Sequence, residues 1–458
     1  MLGKKYEIDM CNGPLFGKII VFSVPMILSG ILQLLYNAAD VIVVGRFSGS
    51  TALAAVGSTG SLTNLIITLF MGLSVGTSVT VAQYYGAGDW KSVNRSVHTS
   101  IAASIICGIF VGIFGIVFAK KFLIAMDTPA DVLDQAALYM RIYFIGVPAS
   151  MIYNFGSSIL RAAGDTRRPF IFLSVSGLVN VVLNLIFVVV FRMGVAGVAW
   201  ATIISQFISA VLIIICLLQF NGPCRLTLKD IKIYSDMLWK IVKIGLPAGL
   251  QGIIFSLSNV LIQSSVNSFG SDVMAGNSAA ANIEGFIYVA MNSIYNTALT
   301  FTGQNMGAKK YERINRILGI CILTVFVIGF GIGMLILVLS EQLLGVYAPN
   351  NMEVIKYGII RLNIIAKTYF LCGMMEVMVG MIRGMGRSLM PMIVSVIGVC
   401  GGRITWILFV FARNRDLKTL YISYPISWLL TFSIHLVTYF IIRKIVIRKE
   451  NVPELTPV

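Results

Sequence analysis

The chain has 458 residues, 57% of them hydrophobic and only 12% charged, whereas soluble domains carry roughly 25% charge. That composition excludes an ordinary water-soluble globule. The net charge of +16 does not point to nucleic acid, because the basic residues gather in short loops between apolar runs, where they set membrane orientation. Seven scattered cysteines and two histidines offer neither a disulfide framework nor metal-ligand spacing.

Apolar runs of about 20 residues, the length that crosses a bilayer as a helix, recur along the whole chain. They predict twelve spans: 17–44, 52–82, 97–119, 132–158, 170–191, 194–219, 239–266, 278–303, 315–340, 353–381, 389–411 and 419–442. The fold class is therefore an all-α polytopic membrane protein. Span 1 is too long for a cleavable signal and runs into Asp40 without a small-residue cleavage site. Its outer part reads GILQLLYNAADVIVVG (30–45), so a carboxylate sits in an otherwise apolar stretch. Such a residue is expensive in hydrocarbon and is a functional-site hypothesis by default. Pro25 lies inside span 1 and Pro247 inside span 7; each removes a backbone N–H and favours a bend, so both are expected hinges.

Further polar residues follow in order. Span 4 holds Tyr139 and Arg141, span 5 holds Asn180 and Asn184, and span 6 holds Thr202 and Gln206. Glu284 lies near the outer end of span 8. Arg361, Lys367 and Glu376 lie in span 10, Arg403 in span 11 and His435 in span 12. Counting Lys and Arg on alternate loops puts 23 on one side and 8 on the other, which makes both termini cytoplasmic in a multi-pass protein of the cell membrane.

The chain repeats itself. At an offset of 222, Lys18 meets Lys240, Pro25 meets Pro247, Gly30 meets Gly252 and Phe47 meets Phe269. At 221, AQYYGAGDWKSVNR (82–95) lies over GQNMGAKKYERINR (303–316); at 222 again, RAAGDTRRP (161–169) lies over RGMGRSLMP (383–391). Each half has six spans, an even number, so the halves share one orientation and relate by a pseudo-two-fold axis along the membrane normal. The expected domains are an N-terminal six-helix lobe (1–220), a basic cytoplasmic linker (221–238), a C-terminal six-helix lobe (239–445) and a cytoplasmic tail (446–458).

Depth follows from the helical rise: Asp40, five residues from the outer end of its span, sits roughly 7 Å in. Tyr139, Arg141, Asn180, Asn184, Thr202 and Gln206 fall in the same outer half. One reading is a hydrated pocket where Asp40 takes a proton or Na⁺, with amide and hydroxyl oxygens assisting. The other is an ion pair between Asp40 and Arg141, with the amides hydrogen-bonding between helices. In the second half Ile262 occupies the repeat position of Asp40. Glu284 is a second ion site, a counter-charge for substrate, or a partner for Lys367 or Arg403; Glu376 snorkels toward the interface near Arg383. His435 reads as a packed or hydrogen-bonded residue.

The first-span pattern VPMILSGILQLLYNAADVIVVGRFSG with LAAVG after it, the paired loops AQYYGAGD and GQNMGAKK, and the paired RAAGDTRRP and RGMGRSLMP together resemble the multidrug and toxic compound extrusion (MATE) family of cation-coupled exporters. The resemblance spans essentially the whole chain. It implies two six-helix lobes around a central cavity, and export by alternating access driven by H⁺ or Na⁺ influx. It also implies a coupling role for Asp40, with Asn180, Asn184, Thr202 and Tyr139 as polar partners; some members have a second aspartate where this chain has Asn184. The acidic residues of the family's C-lobe site do not map onto Glu284 or Glu376.

The expectation is thus an antiporter, not an enzyme, for amphipathic and cationic organic compounds. Gln206, Glu284, Lys367 and Arg403 are its candidate substrate or second-charge residues. It needs no cofactor beyond the coupling ion, no metal beyond Na⁺ at Asp40 and no partner beyond substrate and membrane lipid, and a monomer suffices. A flippase for a lipid-linked precursor is the alternative on a related fold. An intramembrane enzyme would need paired carboxylates or a motif such as HExxH, and His98 and His435 stand alone.

Overall fold

The computed structural model describes residues 6–450 except 127 and 350. Among the described residues every regular element is helical. In chain order these are α1 (Leu15–Phe47), α2 (Ser50–Ala87), α3 (Trp90–Ala125), α4 (Ala130–Ala162), α5 (Arg167–Asn184) and α6 (Gly194–Leu218). The second half has α7 (Ser235–Asn267), α8 (Ser271–Gly307), α9 (Tyr311–Val338), a short α10 (Ser340–Tyr347), α11 (Met352–Ile365), α12 (Tyr369–Gly384), α13 (Leu389–Ser395), α14 (Gly402–Trp406) and α15 (Leu417–Glu450). Spans 10 and 11 are each one crossing made of pieces: α11 runs through a 3₁₀ turn into α12, and π-helical turns at Val396–Gly401 and Ile407–Phe411 flank α14.

Among the described residues eleven crossings are long and apolar enough to span a bilayer by length and composition alone. The twelfth expected span lies within α8, whose 37 residues are ample, but Asn277, Asn282, Glu284, Asn292 and Asn296 make it more polar. Many helices overrun a bilayer's needs. The 38 residues of α2 make about 57 Å of helix at 1.5 Å per residue, well beyond the roughly 30 Å that a bilayer's hydrocarbon core needs, so α2 extends past it. Gly88 closes α2 in the left-handed region at φ 71° and the Asp89 carboxylate caps α3 by accepting from the Ser92 N–H at 3.1 Å. In the second copy of this loop the equivalent left-handed position is Lys309, at φ 56°.

The chain forms two compact units. One is built on Val24–Gly249, the other on Met10–Ser23 together with the chain from Leu250 onward. The chain passes from one to the other inside α1 and inside α7, within two residues of Pro25 and Pro247. Each proline leaves the carbonyl four residues before it, on Val21 and Lys243, without its helical partner.

In the first unit α4 is the central helix and packs against α2, α3 and α6. Met140, Phe144, Val147, Met151 and Phe155 lie in its core. Lipid tails are as apolar as leucine, so close packing rather than escape from water holds such helices together. The early part of α7 shows it plainly: a Cβ on Gly72 would come within 2.5 Å of Gly249 Cα, so two backbones touch where GLSVGTS (72–78) meets α7. The linker is folded against α3. Thr227 N–H donates to His98 Nε2 at 3.0 Å, Tyr234 N–H to Thr99 Oγ1 at 3.2 Å, and Arg95 pairs with Asp236 at 2.7 Å. His98 is therefore a structural acceptor. Burial pushes the Cys224 thiol of the same linker far above the ordinary range.

In the second unit α8 packs on α9, α11 and α12, and α15 on α11 and α12. Tyr421, Tyr424 and Trp428 of α15 belong to the core. The buried His435 is hydrogen-bonded to Ser395 at 2.9 Å, which fits a packed residue.

Candidate functional site: a carboxylate among amides

Two contacts one turn apart on α1 set the site. Tyr36 lies on α5 at Gly177, where any Cβ would collide with the ring, and its hydroxyl donates to the Ser174 carbonyl at 3.3 Å. Glycine at 177 thus lets the two helices approach closely. One turn beyond Tyr36, Asp40 meets Asn184, two turns beyond Gly177, and the Asn184 amide donates to Asp40 Oδ1. The second hydrogen of that amide goes to Asn180 Oδ1 at 3.2 Å, one turn back on α5. Helix α6 supplies Thr202, whose hydroxyl is 3.5 Å from Asp40 Oδ2 and 3.5 Å from Asn180 Nδ2.

A hydroxyl has one proton to give. That of Thr202 lies 3.0 Å from the Val198 carbonyl, the better acceptor position. Thr202 thus shares its one proton between the Val198 carbonyl and Asp40 Oδ2, so α6 holds the carboxylate more loosely than α5 does. The buried Asn184 Oδ1 has no hydrogen-bond partner among the described residues. Half-buried Asp40 is thus surrounded by neutral oxygens and amides, a donor set that suits a proton or a hard cation. Immediately beyond Asn184 the helix becomes π-helical over Leu185–Val190, a distortion frequent at functional sites. A cavity of about 730 Å³ lies beyond it, lined by Phe47, Ser48, Gln135, Val188, Val189 and Arg192 among others.

The expected partners divide. Asn180, Asn184 and Thr202 join Asp40 in one hydrogen-bond network. Tyr139 stands close enough to feel its charge, with its ring stacked on Tyr143 at 6.1 Å, and makes no hydrogen bond to it. Gln206 lies deeper on α6, its buried Oε1 facing Gly146 and without a hydrogen-bond partner among the described residues. The ion pair with Arg141 does not form: Arg141 is exposed and, among the described residues, Asp40 has no basic partner. Tyr36, Gly177 and Tyr143 were not foreseen as parts of this neighbourhood.

The second unit holds a different cluster. Glu284 pairs with Arg361, not with Lys367 or Arg403: Arg361 Nε and Nη2 donate to the two carboxylate oxygens at 2.9 and 2.6 Å. Both residues are buried. Arg361 Nη1 donates to Asn277 Oδ1 at 2.7 Å, and Tyr421 hydroxyl donates to the same oxygen at 3.2 Å. The reason is helix rotation, which turns Lys367 outward into exposure and turns Arg403 toward Asn259 and Ser427. Glu376 lies close enough to Arg383 to feel its charge, as expected. It is half-buried beside Tyr288 and Tyr295, while Arg383 is buried and donates to Tyr295 Oη and Gln251 Oε1 at 2.8 Å each. No group of three or more His, Cys, Asp or Glu side chains suited to a metal occurs among the described residues.

Residues 25–186 and 247–405 each match the MatE family model, and the two matches begin 222 residues apart. The chain belongs to the MatE family. Its members are transporters, so this chain is a transporter and not an enzyme, with the twelve-helix, two-lobe fold of the family. Among relatives, it is 27% identical over 447 residues to a Bacillus subtilis protein described as the probable multidrug resistance protein YoeA, covering 95% of each chain. It is 21% identical to an FAD transporter of Shewanella oneidensis, over 68% of this chain and 69% of that one. Among solved structures, a MOP-superfamily transporter from Pyrococcus furiosus superposes with a TM-score of 0.90 at 23% identity, covering 97% of this chain and 99% of that one. The last match speaks for the fold alone. Similarity to multidrug resistance and export proteins supports multidrug efflux as the general activity of this MatE chain.

Proposed function

We propose that this MatE transporter is a secondary antiporter of the plasma membrane, with both termini cytoplasmic, that exports amphipathic organic compounds while H⁺ or Na⁺ enters at Asp40. Organic cations are the expected substrates, because the first unit offers a single carboxylate within a neutral polar shell. The observation that carries the reading is the network itself. Asp40 is held by Asn184 and more weakly by the Thr202 hydroxyl, with no basic residue to neutralise it among the described residues. A carboxylate so placed is stabilised by taking a proton or cation, and its hydrogen bonds to α5 and α6 change when it does. Those bonds fix the outer part of α1, so loading of Asp40 biases the direction of α1. Pro25 supplies the hinge, and Pro247 supplies its counterpart in α7.

The test is gradient-driven efflux of a fluorescent organic cation, ethidium, from vesicles containing Asp40→Asn. The amide keeps the shape but neither titrates nor holds a cation's charge. The expected result is loss of gradient-driven efflux at wild-type protein level and stability. Efflux at the wild-type rate removes Asp40 from the coupling mechanism. Imposing a pH gradient or a Na⁺ gradient separately on the wild-type protein identifies the ion.

A further inference from the structure

The two halves put different chemistry at equivalent places. At the 222-residue offset, Arg361 stands where the first half has Tyr139, Tyr424 where it has Thr202, and Trp428 where it has Gln206. Ile262 replaces Asp40, and Arg403 replaces Val181, the residue after Asn180. The backbone repeats as well: the π-helical turn at Leu185–Val190 has its counterpart at Ile407–Phe411, the same 222 residues on. The second unit thus carries a counterpart of the Asp40 site that has arginines and aromatic rings and lacks the carboxylate.

Of the two arginines, Arg361 is neutralised by Glu284. Arg403 is not. It is only 5% exposed, yet its hydrogen bonds go to neutral groups at long range: Nε donates to Ser427 Oγ and Nη1 to Asn259 Oδ1, each at 3.3 Å. Among the described residues Nη2 has no partner. The guanidinium carbon sits 4.1 Å from the Tyr424 ring centroid and 5.8 Å from that of Trp428. Tyr424, Tyr369, Cys372 and Cys400 are the ionisable groups that interact with it most strongly, and no carboxylate lies within ion-pair distance of it among the described residues. Burying a guanidinium without a counter-charge is costly, and aromatic faces and neutral acceptors offset only part of that cost. Asn259, one of its two hydrogen-bond acceptors, is itself exposed.

We propose that Arg403, framed by Tyr424, Trp428 and Asn259, is an anion subsite for the carboxylate or phosphate of a planar aromatic compound. The guanidinium fork receives two oxygens of the oxyanion, and the aromatic body of the ligand packs against the two rings. The substrate range of the exporter then extends to compounds that carry an anionic group, zwitterions included. The subsite takes its place in a transport cycle from the export reading above, whereas its chemistry stands apart from it.

The experiment is equilibrium binding by titration calorimetry to the purified full-length protein in neutral detergent. The probes are 2-naphthoate and 2-naphthamide, which share a ring system and differ in charge. The wild-type protein is expected to bind naphthoate at least about tenfold more tightly than naphthamide. Arg403→Gln is expected to bring naphthoate down to the affinity of the amide, and Arg403→Lys to keep part of the preference. Equal affinity of the two probes for the wild-type protein, no binding of either, or an unchanged preference in Arg403→Gln overturns the proposal. The wild-type comparison decides even if the variant fails to fold. Binding is read without a gradient, so its failure leaves coupling at Asp40 standing, and failed efflux leaves the subsite standing.

Discussion

Sequence leaves Glu284 three roles, none of them a pair with Arg361; the geometry shows that pair and makes it testable by stability alone. The pair with Arg361 is bidentate, at 2.9 and 2.6 Å, and both side chains are buried. Replacing Glu284 by glutamine keeps the volume and removes the charge. Arg361 then keeps one strong acceptor, Asn277 Oδ1 at 2.7 Å, and the ring faces of Tyr421 and Tyr424 at 5.6 and 5.5 Å. It loses a counter-charge that no other described residue replaces. Breaking a buried pair by removing one partner costs about 3–5 kcal/mol. The glutamine oxygen still accepts one hydrogen bond, so Glu284→Gln should fall at the lower end, about 3 kcal/mol. At an unfolding entropy of about 2.1 cal/mol/K per residue, that corresponds to a fall in Tm of roughly 3 °C for a chain of this size.

The assay is thermal unfolding of purified protein, run as a cycle with Arg361→Gln and the double variant. If the pair is structural, the double variant is less destabilised than the two single effects added, by about 2 kcal/mol or more. Efflux per folded molecule should stay within a few-fold of wild type in the cycle. Additive losses would refute the pairing as the source of stability. A Glu284→Gln protein of full stability and no efflux would make Glu284 a transport residue instead.

Two further outcomes test the geometry around the first site and the repeated loop. Gly177→Ala should push the Tyr36 ring off α5, costing about 1–3 kcal/mol as overpacking, and should lower efflux by separating Asp40 from Asn184. In a Tyr36→Leu background the same change should cost less, and a Gly177→Ala protein indistinguishable from wild type in Tm and efflux would refute the contact. Lys309→Gly should stabilise by roughly 1 kcal/mol, because a side chain at a left-handed position is strained and glycine is not; Gly88→Lys in the first copy should lose a similar amount in the same thermal assay.

Much of the architecture was legible because membranes simplify the reading. Hydropathy places the spans, and a duplication held at 221–222 residues places the second half once the first is known. Depth is legible too, since the rise per residue is fixed at about 1.5 Å; that is how Asp40, Asn184 and Thr202 come together on paper. Rotation about the helix axis is what depth leaves out. Glu284, Arg361 and Arg403 lie at similar depths, so depth cannot choose a partner for the acid. Facing is decided by packing across helices such as Tyr36 on Gly177, which no single span announces.

Part of the missing rotation was nevertheless encoded. Residues two apart on an α-helix point about 200° apart, so Tyr139 and Arg141 cannot both face Asp40. With Tyr139 beside the carboxylate, Arg141 is turned away, as it is found. The repeat carries the same information into the second half. Arg361 occupies the place of Tyr139, so it inherits an inward-facing rotation, whereas Lys367, six residues on, lies about 240° away around the helix and faces outward. Read this way, Arg361 is the basic residue of span 10 that meets Glu284. Duplication thus supplies what hydropathy and depth lack: the facing of a residue in one half, once its counterpart in the other half has been placed.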